Sequence, residues 1–244
     1  MGITDYIFPK KCVVCRKPGS YLCENCFSYL SFEPKSLCLP CNQPSFNNLT
    51  HPRCKRKYAI DGCFSALSYN KTVQKLIYNF KYKPYLTDLK TVLADLFHES
   101  IIQNEQFMKL IVDGSCLMVP IPLSSSRFRK RGYNQAEILA KELSKKFNFP
   151  VQNLLSRTKE TKTQVGMTNL QRKLNVKDVF EIINHPSASS GNGSRSSGSK
   201  RFRKNCSIFL VDDVVTTGST LSEAAKILKK AGAKKVFGLT LARD

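Results

Sequence analysis

Ile208-Phe209-Leu210-Val211-Asp212-Asp213-Val214-Val215-Thr216-Thr217-Gly218-Ser219-Thr220-Leu221 is the stretch on which the fold of this chain turns. A run of apolar residues stops at two adjacent carboxylates, passes through hydroxyl side chains around one glycine, and continues with Leu221, Ala224, Ala225 and Leu228 at helical spacing. The expected order is buried strand, acidic turn, anion-binding loop and helix. Gly232 is placed to end that helix, and Val236 to Leu241 supply a further buried strand. Strand, helix and strand make a parallel crossover unit, and open α/β sheets bind ligands at the carboxyl ends of such strands.

The side chains of this unit indicate the ligand. Thr216, Thr217, Gly218, Ser219 and Thr220 offer hydroxyls and closely approachable amides at the start of a helix, whose dipole favours an anion such as a phosphate monoester. Asp212 and Asp213 would repel that phosphate, so they suit paired hydroxyls of the same ligand or a hard cation. A phosphorylated sugar with vicinal hydroxyls satisfies both halves.

The stretch resembles the phosphoribosyl pyrophosphate (PRPP) motif of type I phosphoribosyltransferases, in the version found in the ComF family of competence-associated proteins. The resemblance implies a type I phosphoribosyltransferase fold, a mostly parallel twisted sheet with helices on both faces, preceded by a double zinc ribbon. By it, Asp212 and Asp213 hold the ribose hydroxyls and act as the catalytic pair, while Thr216 to Thr220 cradle the 5′-phosphate.

Working outward, Cys116 to Pro122 reads as a buried strand stopped by prolines. A basic loop follows, with Arg127, Arg129, Lys130 and Arg131 ahead of Gly132-Tyr133-Asn134-Gln135, and then a helical stripe of Ala136, Ala140, Leu143 and Phe147. This block resembles the family's pattern, and its cations suit the diphosphate of the donor. A nucleic-acid patch or a solvated charge run would look the same.

Val73, Leu76, Ile77 and Phe80 mark an amphipathic helix after a strand from Cys63 to Tyr69, and Leu86 through Phe97 continue a second helical face. The turn at Asn79-Phe80-Lys81-Tyr82 resembles the family's first loop, which makes Lys81 a pyrophosphate contact or else a solvated lysine. Few apolar residues lie between Ser156 and Leu170, as in an exposed loop or hairpin. Arg157, Thr161, Gln164, Arg172 and Asn175 there resemble the family's flexible hood, which closes over the donor.

The N-terminal quarter follows different rules. Cys12-x-x-Cys15, Cys23-x-x-Cys26, Cys38-x-x-Cys41 and His51-x-x-Cys54 are four knuckles, enough for two tetrahedral Zn²⁺ sites of structural type. Sequential pairing gives Cys12, Cys15, Cys23 and Cys26 for one and Cys38, Cys41, His51 and Cys54 for the other; interleaving is the alternative. In ComF-like proteins cysteine stands where His51 does, so Cys63 is a competing ligand. The expected division is a double zinc ribbon over 1–58 and a transferase domain over 59–244, with a disordered Ser/Gly insertion at about 184–204.

The ten cysteines suit metal binding in a cytoplasmic protein, and no apolar segment reads as a signal peptide or membrane span. Thirty-nine Lys and Arg against 18 Asp and Glu give a formal charge of +21, which suits a polyanion without naming one. Two functions are compatible with these features. The first is an enzyme that uses PRPP and Mg²⁺ to transfer phosphoribosyl to an acceptor, although no residue presents itself as a general base. The second is a PRPP or nucleotide sensor, or a protein handling single-stranded DNA in natural transformation, with Phe128 and Tyr133 as stacking surfaces. The family resemblance adds a competence helicase as a candidate partner.

Overall fold

The computed structural model describes residues 10–83, 88–112, 114–160, 171, 176–183, 202 and 206–244. The hood positions Thr161, Gln164, Arg172 and Asn175, and the Ser/Gly segment save Phe202, lie outside the described residues.

The ribbon is built from tight turns rather than from a core. Lys11 bridges Pro18 and Leu37 bridges Pro44 across two knuckles, and the short helix α1, Glu24–Phe27, joins the second pair of cysteines to the chain beyond. Its link to the rest of the molecule runs along strand β1, Gly62–Ser68. Ser68 donates its amide to Ser31, Thr50 donates to Asp61, and Leu49 bridges Gly62.

Helices α2 (Lys71–Tyr82), α3 (Leu89–Ile101) and α4 (Glu105–Val112) follow, then strand β2 (Cys116–Pro120). Asn70 caps α2 by accepting from the Val73 amide at 2.9 Å, and the stripe Val73, Leu76, Ile77 and Phe80 is buried. Next come α5 (Ser125–Arg131), α6 (Gln135–Phe147), strands β3 (Leu155–Arg157) and β4 (Phe180–Ile182), β5 (Ser207–Val215), α7 (Ser219–Lys230) and β6 (Lys235–Arg243).

Strands β1, β6, β5 and β2 form a parallel sheet in that order, while β3 and β4 pair antiparallel as the two arms of a hairpin-like excursion. Alternation along β5 sends Phe209 and Val211 to one face and Ile208 and Leu210 to the other. The first face meets Leu93, Phe97, Phe107, Leu139 and Leu143 of α3, α4 and α6, with Phe209 at the centre of a group of rings including Phe107 and Phe237. The second face is covered by Leu221, Ala224, Ala225 and Leu228 of α7.

The ribbon reaches both faces: Val13 and Leu30 of its first half join one core, and Leu39 of its second half joins the other. Among the described residues, no helix is long and apolar enough to cross a membrane.

Two sequence expectations change. The acidic pair does not sit in a turn, because β6 runs beside β5 past the carboxylates and pairs Asp212 with Thr240, Val214 with Ala242 and Val215 with Arg243. The basic segment is not a loop either. It is helix α5, led in by the extended Ser124 and closed by Gly132 at φ +78°, a left-handed position that glycine occupies at least cost.

Candidate phosphoribosyl site and zinc centres

β5 brings the acidic pair to the carboxyl edge of the sheet and hands the chain directly to the loop before α7. The Asp212 carboxylate accepts a hydrogen bond from the Asp213 amide at 2.8 Å. Burial, and then the neighbouring charge of Asp213, push the Asp212 carboxyl up to about 7. Asp213 is buried, and its Oδ1 lies 2.9 Å from Lys81 Nζ in the last turn of α2. Lys81 is thus engaged with one of the two carboxylates to which the family resemblance gives the ribose hydroxyls.

Gly218, at φ +69°, starts α7 with no side-chain cap on that helix. The Thr217 and Ser219 hydroxyls are 2.8 Å apart, and the first amides of a twelve-residue helix lie alongside them. Such a set of hydroxyls and amides has the chemistry to accept an anion. Behind the loop, a cavity of about 700 Å³ separates α7 from the second half of the ribbon, lined in part by Leu39, Arg53, Tyr58, Thr217 and Ser219.

The basic residues are divided by α5. Arg131 donates to Gln135 Oε1 at 2.9 Å and to the Tyr82 hydroxyl at 3.3 Å, with its guanidinium 5.1 Å from the Tyr82 ring centre. It therefore stands against Tyr82, in the last turn of α2. Arg157, at the end of β3, lies over the Phe180 ring; burial and then the charge of Arg127 bring its guanidinium down to about 10, while Asp212 pulls the other way. Arg157 therefore approaches Asp212 from the hairpin side, with Arg127 of α5 near Arg157. Arg129 and Lys130 are exposed, and Arg129 lines a separate cavity of about 490 Å³ shared with Arg157 and Ile183.

Two residues of the neighbourhood were missed by the sequence reading. Arg243 is 4% exposed at the end of β6, and its Nη1 donates to the Leu37 carbonyl at 3.5 Å. A lone cation closing an apolar strand was its signal. Leu39 carried none, being one apolar residue inside a knuckle.

The ribbon residues fit zinc. The ligand atoms of Cys12, Cys15, Cys23 and Cys26 all lie within 4.8 Å of one another, as do those of Cys38, Cys41, His51 and Cys54. Burial opposes ionisation of Cys12, but amide donors from Cys23, Cys15 and Val14 outweigh it and bring the thiol to about 6. An amide donor at Gln43 leads the corresponding fall at Cys41, also to about 6. Such N–H···S contacts stabilise the thiolates that a metal needs. His51 turns Nδ1 toward Cys41 and Nε2 to the Pro44 carbonyl at 2.8 Å, which orients the ring as a ligand. Cys63 is fully buried in β1 and stands outside both groups.

Fold and site define a class: a zinc-ribbon protein carrying a phosphoribosyltransferase-type domain. The family models agree, with a double zinc ribbon domain matching residues 3–56 and a phosphoribosyl transferase domain matching residues 132–243. Whole-chain relatives narrow this further. Competence protein F of Haemophilus influenzae is 28% identical over 92% of this chain and 97% of its own length. Competence protein ComFC of Bacillus subtilis is 26% identical over 93% of this chain and 86% of its own, and the DNA utilization protein YhgH of Escherichia coli is 26% identical over 93% and 94%. Over most of its length the chain is thus similar to these ComF-like competence and DNA utilization proteins.

Proposed function

We propose that the chain binds PRPP together with Mg²⁺ at the carboxyl edge of β5 and transfers its phosphoribosyl group to an acceptor, in the service of DNA uptake. The observation that carries this reading is the direct succession of Asp212, Asp213 and the Thr216–Thr220 cradle at the end of one parallel strand. The 5′-phosphate is held by the loop amides and hydroxyls, and the ribose hydroxyls by the two carboxylates. Transfer develops positive charge on the sugar while diphosphate leaves, so the site must neutralise the leaving group and hold the ribose still. Lys81 and Arg157, the cations nearest the acidic pair, serve this purpose, with Arg127 close to Arg157. Mg²⁺, when bound with the diphosphate, would neutralise further charge beside the carboxylates. The names of the relatives support a role in competence or DNA use.

Calorimetry with PRPP and Mg²⁺ tests the donor site. Binding is expected for the natural chain and lost in the Asp212→Asn/Asp213→Asn double variant. Absence of binding by the natural chain would refute the reading. Pyrophosphate release against a panel of bases and amines then identifies the acceptor.

A second reading, handling of single-stranded DNA, is favoured by one surface. Tyr78 and Tyr82 are 57% and 43% exposed, lie with ring planes tilted by 48° and centroids 5.0 Å apart, and carry Arg131 over the Tyr82 ring. Aromatic faces beside cations accept unpaired bases.

A further inference from the structure

The knuckle Cys38-Leu39-Pro40-Cys41 meets the Thr216–Thr220 loop through Leu39. Leu39 is 3% exposed and lies against Gly218, where any Cβ would run into the Leu39 side chain. Two residues earlier, the Leu37 carbonyl accepts from Arg243, which pairs in the sheet with Val215, the last strand residue before the loop. Among the described residues, Nε and Nη2 of this buried arginine have no hydrogen-bond partner, so its contact to Leu37 at the knuckle's start is its principal polar anchor. The Asp244 amide closes the same corner by donating to the Val215 carbonyl at 3.1 Å. The loop is therefore braced at its glycine and at its entry by residues flanking Cys38.

The knuckle has little of its own to keep it there. Between Leu37 and Cys54, only Cys38, Leu39 and Thr50 are buried. Its turn is held by Cys38 and Gln43, by Asn42 at φ +56°, and by the His51 amide pointing at the Cys38 sulfur. Such a segment keeps its shape when a metal binds Cys38, Cys41, His51 and Cys54. The first half of the ribbon is placed elsewhere. Its hydrogen bonds go to Ser68, Asn70 and Lys75, on β1 and α2.

We infer that Leu39 is a positioning residue of the phosphate loop, so that zinc in the second site, and not in the first, governs how tightly a ribose 5-phosphate group is held. This rests on the reading of Thr216–Thr220 as a 5′-phosphate cradle. Because coupling between sites is reciprocal, ribose 5-phosphate must in turn tighten the binding of that one zinc ion.

The test uses the full chain, with ribose 5-phosphate as probe because it lacks the diphosphate that Lys81 would contact. Leu39→Ala leaves all eight zinc ligands in place. It is expected to keep its metal, to speed amide exchange at residues 216–220, and to weaken the probe about tenfold, within the usual range of coupling between sites. Leu39→Met should restore both. Cys54→Ser should reproduce the loss, and Cys15→Ser should not. In the natural chain the probe should raise the chelator concentration needed at equilibrium to remove one zinc ion, and in Leu39→Ala it should not. Unchanged amide exchange at 216–220 in both Leu39→Ala and Cys54→Ser would overturn the inference. If the natural chain fails to bind the probe while exchange still responds to these two variants, the coupling stands and the phosphate reading falls.

Discussion

Lys81 Nζ sits 2.9 Å from Asp213 Oδ1, joining the end of α2 to the carboxyl edge of β5. One cation thereby neutralises one member of a buried acidic pair. A ligand that brings ribose hydroxyls to Asp213 and diphosphate to Lys81 would divide this ion pair between its own two ends. Lys81→Met should therefore weaken PRPP about ten- to hundredfold, the worth of a lost charge-assisted contact, while ribose 5-phosphate binding changes little. Calorimetry with the two ligands separates these effects, and an equal loss for both would show that Lys81 acts only by holding Asp213.

Asp212 gives the site a pH signature. Its carboxyl is lifted from the ordinary 3.8 to about 7 by burial and by Asp213, so between these values the folded protein keeps a proton that the unfolded chain has released. Asp212 therefore favours the fold at low pH, and that contribution disappears as pH rises toward about 7. Urea midpoints of the natural chain should fall across this window more steeply than those of Asp212→Asn. Equal slopes would show that Asp212 titrates normally.

The metal sites differ in their fourth ligand. Metal analysis should find two zinc ions in the natural chain and in Cys63→Ser, and one in His51→Ala, since His51 rather than Cys63 joins the second group. Loss of a zinc ion from Cys63→Ser would reverse that assignment.

Gly218 is constrained twice, by its left-handed φ of +69° and by Leu39 against its Cα. Gly218→Ala should cost roughly 1–2 kcal/mol from the backbone alone, with a further penalty from the clash. Adding Leu39→Ala should relieve that second part and leave the first. A double-variant cycle by urea denaturation measures the two, and strictly additive losses would show that the contact carries no energy.

If unpaired bases stack on α2, Tyr82→Ala should weaken single-stranded DNA by roughly 1–3 kcal/mol, and binding should fall with salt. Asp213→Asn should leave it intact. Fluorescence anisotropy at two salt concentrations reads both, and indifference to Tyr82→Ala would place any strand contact elsewhere.

The parts of this molecule visible in sequence were those whose physics is local. Val73, Leu76, Ile77 and Phe80 announced α2 because their spacing depends only on helical pitch, and the cysteine pairs announced metal because two ligands on one turn are a local geometry. Asp212 and Asp213 were legible as a site but not as strand residues, since their extended form comes from β6, which lies some twenty-five residues further on. The cations from Arg127 to Arg131 suggested a loop because their charge masks helical propensity; Ser124 and Gly132 were the only boundary signals. Leu39 and Arg243 were silent because their importance lies in contacts between distant segments, which no single-sequence pattern encodes.

The ribbon's hold on β1 has a consequence for the life of the protein in the cell. β1 is the outermost strand of the sheet, and its free side is occupied at Gly62 by Leu49 and at Ser68 by Ser31, both on segments shaped by the zinc knuckles. Stripping the metals would bare a seven-residue ribbon of unpaired amides and carbonyls with Phe64 and Leu67 beside it, the kind of edge on which chains join one another. Zinc starvation should thus be felt first as aggregation, and the zinc supply of the cell would set how much of this protein remains dispersed.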